Sequence, residues 1–119
     1  MYIDPLKCTQ TSIEAFKLLN LFEQLRVLDQ EMPAQLISCF LYIASHNPCH
    51  KQAIEQDLNL TVASGSRNID RLCNVNRLEQ PGLGLVQKEH DPSNKRRLLI
   101  SLTPKGEALI RNLKTAVYN

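Results

Sequence analysis

The chain has 119 residues, 43 % hydrophobic and 22 % charged, the proportions of one ordinary folded domain with a modest core. No apolar run approaches the ~20 residues of a membrane span, and the first residues, Met1 to Lys7, lack the apolar stretch of a secretion signal, so no membrane partner and a cytoplasmic location are expected. The net charge of +2 is unevenly spread: residues 1–60 carry four Lys and Arg against seven Asp and Glu, residues 61–119 ten against five, so a polyanion would meet the C-terminal half.

The first element is a helix over 10–29. Ile13, Phe16, Leu18, Leu19, Leu21, Phe22, Leu25 and Leu28 recur at helical spacing but cover most of the circumference. A helix apolar almost all round is buried on several sides, and in so small a chain the second side is another subunit. Met32-Pro33 breaks the chain. A second helix, Ala34 to about Ser45, turns Leu36, Ile37, Phe40, Leu41 and Ile43 inward and ends before Asn47-Pro48.

A short third helix from about His50 to Leu58 is followed by Asn59, which tolerates a left-handed backbone. Thr61 then caps a fourth helix reaching about Cys73, and the pair 50–73 forms a helix-turn-helix. Projected at about 100° per residue, Gly65, Ile69 and Leu72 face the core, while Ala63, Ser64, Ser66, Arg67, Asp70 and Arg71 lie outside. That outer face is small, polar and basic. Its small side chains admit a groove edge, and its two arginines reach phosphates or guanine edges.

Residues 74–84 form an irregular loop marked by Pro81, Gly82 and Gly84, to which no function is assigned. A strand from about Leu85 to His90, a turn at Asp91-Pro92-Ser93-Asn94 and a strand ending at Leu102 make a hairpin, 85–102, with Lys95, Arg96 and Arg97 at its tip. Three adjacent cations repel one another, and a nucleic-acid backbone supplies a reason for them. Thr103 caps a last helix over 104–117, with Pro104 in its first turn.

The hairpin resembles the wing of the multiple-antibiotic-resistance regulator (MarR) family, whose wing reads D-P-x-D-R-R, then four or five residues, then L-T-x-x-G. Asp91, Pro92, Leu102, Thr103 and Gly106 fall in register, Lys95 and Arg96 take the two arginine positions, and Asn94 replaces the usual Asp. The resemblance extends from about Met32 to Leu113. Leu58, Leu60, Thr61, Ser66, Arg67, Asp70, Arg71 and Leu72 match the family's recognition helix in kind. Two positions depart from it. Gly65 replaces an apolar core residue at a cost of about 1 kcal/mol in helix propensity, and Glu55 stands where the family prefers Ala.

The resemblance implies a mainly α fold with a small β-hairpin wing (α+β), a winged helix-turn-helix spanning 1–119 as a single domain. It implies sequence-specific binding of double-stranded DNA by a transcriptional regulator acting as a homodimer on a pseudo-palindromic site. The fourth helix would enter the major groove with Thr61, Ala63, Ser64, Ser66, Arg67 and Arg71. Lys95, Arg96 and Arg97 would meet the minor groove or its flanking phosphates. Helices 10–29 and 104–117 would form the dimer. Family members often continue with a further helix beyond this point, which gives the first helix the larger share.

Two other functions fit the same elements: a winged-helix module that binds protein without reading DNA, and a thiol redox-sensing regulator acting through Cys8, beside Lys7. The remaining cysteines, Cys39, Cys49 and Cys73, form no C-x-x-C pair with one another or with Cys8. The run His46-Asn47-Pro48-Cys49-His50 lacks an evident fourth ligand, so neither metal nor cofactor is expected. An enzyme is not expected either, since no nucleophile–base pair or phosphate-binding glycine loop occurs. Nothing in the sequence specifies a small-molecule effector, the operator or the sign of regulation.

Overall fold

The computed structural model describes residues 12–74 and 81–118. Within them the elements follow in the order α1 (Ile13–Leu28), α2 (Ala34–Ser45), β1 (Cys49–His50), α3 (Lys51–Asp57), α4 (Val62–Leu72), β2 (Val86–Asp91), β3 (Asn94–Leu102) and α5 (Pro104–Tyr118). This is the expected mainly α arrangement with a hairpin wing.

Local chemistry sets the boundaries. Ser12 Oγ accepts from the Ala15 N–H at 3.2 Å and caps the first helix, which starts at Ile13; residues 10 and 11 of the expected span lie outside the described residues. Asn59 adopts φ 55°, and the N–H groups of Asn59 and Leu60 donate to the carbonyls of Gln56 and Glu55 at 3.3 and 2.8 Å. Those two bonds close α3 as a Schellman turn. Thr61 Oγ1 accepts from the Ser64 N–H at 3.0 Å and opens α4. Thr103 Oγ1 accepts from the Gly106 N–H at 3.1 Å and donates to the Gly84 carbonyl at 2.6 Å, tying the start of α5 to the root of β2.

The sheet is antiparallel with order β1-β3-β2. Its third strand was not expected. Cys49 pairs with Ile100 and His50 with Leu99, so His50 is a strand residue and α3 begins one position later, at Lys51. The free edge of β3 satisfies backbone groups of the two residues ahead of the helix.

Phe40 and Ile43 of α2, Ile54 of α3, Ile69 and Leu72 of α4, Leu85 and Ile100 are fully buried. This core fixes the helix-turn-helix against the sheet. α1 lies along α5 and contributes one buried residue, Leu25.

Three glycine and loop features hold the site elements together. A Cβ on Gly65 would lie 2.5 Å from Glu55 Oε2 and 2.7 Å from its Cγ. The two departures from the family pattern therefore compensate each other: the larger Glu55 fills the space the glycine vacates. Glu55 is only 9 % exposed, and its carboxylate pairs with Lys51 one turn earlier on α3. A Cβ on Gly106 would lie 2.1 Å from the Leu85 carbonyl oxygen, which is why the L-T-x-x-G turn needs glycine there.

The described end of the 74–84 loop runs back along the end of α4. The N–H groups of Gly82, Leu83, Gly84 and Leu85 donate to the carbonyls of Asn74, Arg71, Cys73 and Leu72 at 2.7–3.1 Å. They satisfy carbonyls that a helix end leaves open. Residues 75–80 of that loop lie outside the described residues.

Candidate nucleic-acid interface

α4 turns Gly65, Ile69 and Leu72 into the core, as the helical projection expects. Its outer surface is divided. Toward the wing, Val62 and Ser66 line a cleft of about 450 Å³ with Lys51 and Gln52 of α3 and Arg96 and Arg97 of β3. Toward the turn between α1 and α2, Arg67, Asn68 and Arg71 face Asp29 and Gln35. Thr61 and Ala63 are exposed at the start of the helix.

The polar contacts sort these side chains by freedom. Arg67 Nη2 donates to Ser64 Oγ at 3.1 Å, a neutral acceptor on its own helix. Arg71 Nη2 instead pairs with Asp29 Oδ2 at 3.2 Å, just past the end of α1. Asn68 Nδ2 donates to Gln35 Oε1 at 2.7 Å and to the Ser64 carbonyl at 2.8 Å. Asp70, expected on the outer face, is largely shielded: its Oδ1 accepts from Lys88 Nζ of β2 at 2.9 Å. The sheet edge beside α4 covers that position, which a helical projection cannot register.

The wing turn is built from its own side chains. Asp91 Oδ1 accepts from the Ser93 N–H at 2.9 Å and from its hydroxyl at 2.7 Å. Asn94 Oδ1 accepts from the Arg96 N–H at 3.1 Å, so the amide supplies the acceptor where the family pattern has a carboxylate. Lys95, Arg96 and Arg97 occupy the first turns of the pleat in β3, not the reversal itself. All three are exposed, and among the described residues none is in an ion pair.

At the start of the wing turn, Asp91 Oδ2 lies 2.7 Å from His50 Nε2. That bond, with the two from Ser93, holds the Asp91 carboxyl well below the usual carboxylate range.

The described thiols are buried. Burial raises Cys39 and Cys73 above the ordinary thiol value and pushes Cys49 up to about 11, so none of the three offers a reactive thiolate at neutral pH. Cys8 lies outside the described residues. Within the run around His46, His46 stacks on Tyr42 at 4.2 Å between ring centroids, and His50 engages Asp91. Among the described residues no helix is long and apolar enough to cross a membrane.

Residues 40–106 match the family model described as "Winged helix DNA-binding domain". The chain belongs to that family. The matched winged helix runs from within α2 to the first turn of α5, and so includes every candidate contact residue named above. No curated protein matches the sequence.

Solved structures share this fold. RV1404 from Mycobacterium tuberculosis is 16 % identical with a TM-score of 0.68, the match covering 94 % of this chain and 78 % of that one. A MarR transcriptional regulator from Methanosarcina mazei Go1 is 13 % identical with a TM-score of 0.65, covering 89 % and 69 %. A mutant MarR from E. coli, complexed with operator DNA, is 23 % identical with a TM-score of 0.64, covering 88 % and 68 %.

Sequence reasoning missed the α3 side of the cleft, Lys51 and Gln52, and also Val62 and His50. Val62, 68 % exposed at the first position of α4, lies one turn before Ser66 on the same side and was readable from that spacing. His50 gave no signal, since its partner lies 41 residues away.

Proposed function

We propose that this winged helix binds double-stranded DNA sequence-specifically and regulates transcription as a homodimer on a pseudo-palindromic site. The observation that carries the reading is the run of exposed cations Lys95, Arg96 and Arg97 on β3, two of which, Arg96 and Arg97, share one cleft with Val62 and Ser66 of α4. α4 enters the major groove with Thr61, Ala63, Ser64, Ser66, Arg67 and Arg71. The wing lays its cations along the neighbouring phosphates or into the minor groove, where the weakly hydrated guanidinium is favoured. The solved MarR mutant with operator DNA supports the choice of duplex DNA as partner.

Support for the homodimer comes from α1. Ile13, Phe16, Leu18, Leu19 and Phe22 are exposed in the single chain, an apolar strip that α5 leaves uncovered. A second copy covers it, with helices 10–29 and 104–117 of each chain forming the interface. The whole of 1–119 acts as one domain in the cytoplasm, and the function needs no catalytic step or cofactor.

The test is salt-dependent binding to a labelled mixed-sequence duplex. Replacing Lys95, Arg96 and Arg97 together by Ala is expected to weaken binding and to lower the slope of log affinity against log salt by about 0.9 for each phosphate no longer neutralised. The fold should survive, because all three side chains are exposed. An unchanged affinity and slope would contradict the wing's role and favour a protein-binding module.

A further inference from the structure

One side-chain pair joins the wing to the helix-turn-helix, and the proposed DNA contacts leave it unused. His50 closes β1 and immediately precedes α3, while Asp91 closes β2 at the wing turn, and β3 runs between the two strands. The bond between His50 Nε2 and Asp91 Oδ2, 2.7 Å long, therefore crosses the central strand and ties both outer strands at the end where the wing projects. Asp91 is fully engaged, since its other oxygen accepts both donors of Ser93. The same carboxylate folds the wing turn and anchors it to the residue that precedes α3. The β2–β3 register shifts between His90 and Asp91, so regular backbone pairing is interrupted where the side-chain tie takes over.

We propose that His50 is a positioning residue for DNA binding, which latches the wing through Asp91 and tightens that latch when its imidazole is protonated. The inference rests on the DNA-binding reading above. Histidine is the side chain that ordinarily changes charge between about pH 5 and pH 8. Asp91 stays ionised throughout that range, so protonation converts a neutral hydrogen bond into a charge-assisted one.

The other charged groups around His50 do not reverse the sign: Glu89 of β2, exposed and paired with the same Leu99 of β3 as His50, is a further negative charge. Lys51 and Glu55 of α3 neutralise one another, and Arg96 and Arg97 across the cleft are exposed and screened by solvent. Asp91, with its side chain only 14 % exposed, is the nearest charge. Phosphates arriving at Arg96 and Arg97 add further negative charge beside His50. DNA binding and protonation of His50 then favour each other reciprocally.

The test measures anisotropy of a labelled mixed-sequence duplex at about pH 6 and about pH 8, at fixed ionic strength. It compares the wild type with His50→Gln, which keeps an N–H donor but no titratable charge, and with Asp91→Asn. The quantity read is the difference between proteins, so that contributions common to all three cancel. The wild type is expected to gain about fivefold more affinity on acidification than either variant gains. Hydrogen–deuterium exchange of the free proteins supplies a readout without DNA. Wing amides should exchange faster in both variants, with the amides of α2 and α4 as protected as in the wild type. If the wild type binds DNA with the same pH ratio as His50→Gln, the latch is overturned and the DNA-binding reading stands. If the wild type binds at neither pH, both are overturned.

Discussion

Two arginines one turn apart on α4 illustrate how much a partner changes a side chain's role. Arg71 is held by Asp29, a residue 42 positions away that no local pattern connects to it. Among the described residues Arg67 is held only by the hydroxyl of Ser64, so it can redirect to a base edge without breaking an ion pair there. Arg67→Ala is therefore expected to cost about 1–3 kcal/mol on the preferred duplex and to flatten discrimination at one position of each half-site. Competition binding against a mixed-sequence duplex checks this. Equal losses on both duplexes make Arg67 a phosphate contact, and no loss on either means that α4 does not face DNA.

At the scale of elements, the contact between α3 and α4 turns on one exchange of volume. Gly65→Ala gains about 1 kcal/mol of helix propensity but drives a methyl into a buried carboxylate and its lysine partner. The single variant is expected to lose stability in urea. Combining it with Glu55→Ala should recover that loss, with a coupling of at least about 1 kcal/mol between the two sites. Additive effects would show that glycine and glutamate do not share the space.

Each half of this exchange was visible in the sequence as an oddity: a helix-breaking glycine at a core position, and a charge where a small residue is usual. Their complementarity was not visible, because ten residues and a turn separate them. The same limit hid β1, a two-residue strand too short to show alternation. By contrast, the caps of α4 and α5, Thr61 and Thr103, and the left-handed Asn59 were all legible, because each acts within a few residues of itself. Within the candidate interface, the stripe Gly65, Ile69 and Leu72 followed from periodicity alone. The shielding of Asp70 by Lys88 depended on how the sheet docks.

For the whole molecule, the decisive feature is the exposed apolar surface of α1. Leu18 and Phe22 are 53 % and 48 % exposed, so their replacement by Glu costs the single chain little packing. Leu18→Glu combined with Phe22→Glu is expected to give a monomer with native helix content in sedimentation at tens of micromolar. A variant that still sediments as a dimer, or a wild type that sediments as a monomer, would remove α1 from the interface.

Dimerisation and base reading meet in one experiment, the selection of bound sequences from random duplex DNA. Two recognition helices related by a two-fold axis should recover an inverted repeat whose half-site centres lie about 34–36 Å apart, one helical turn of DNA. Recovery of no enriched sequence, or of a single asymmetric site, would contradict a homodimer that reads DNA through α4.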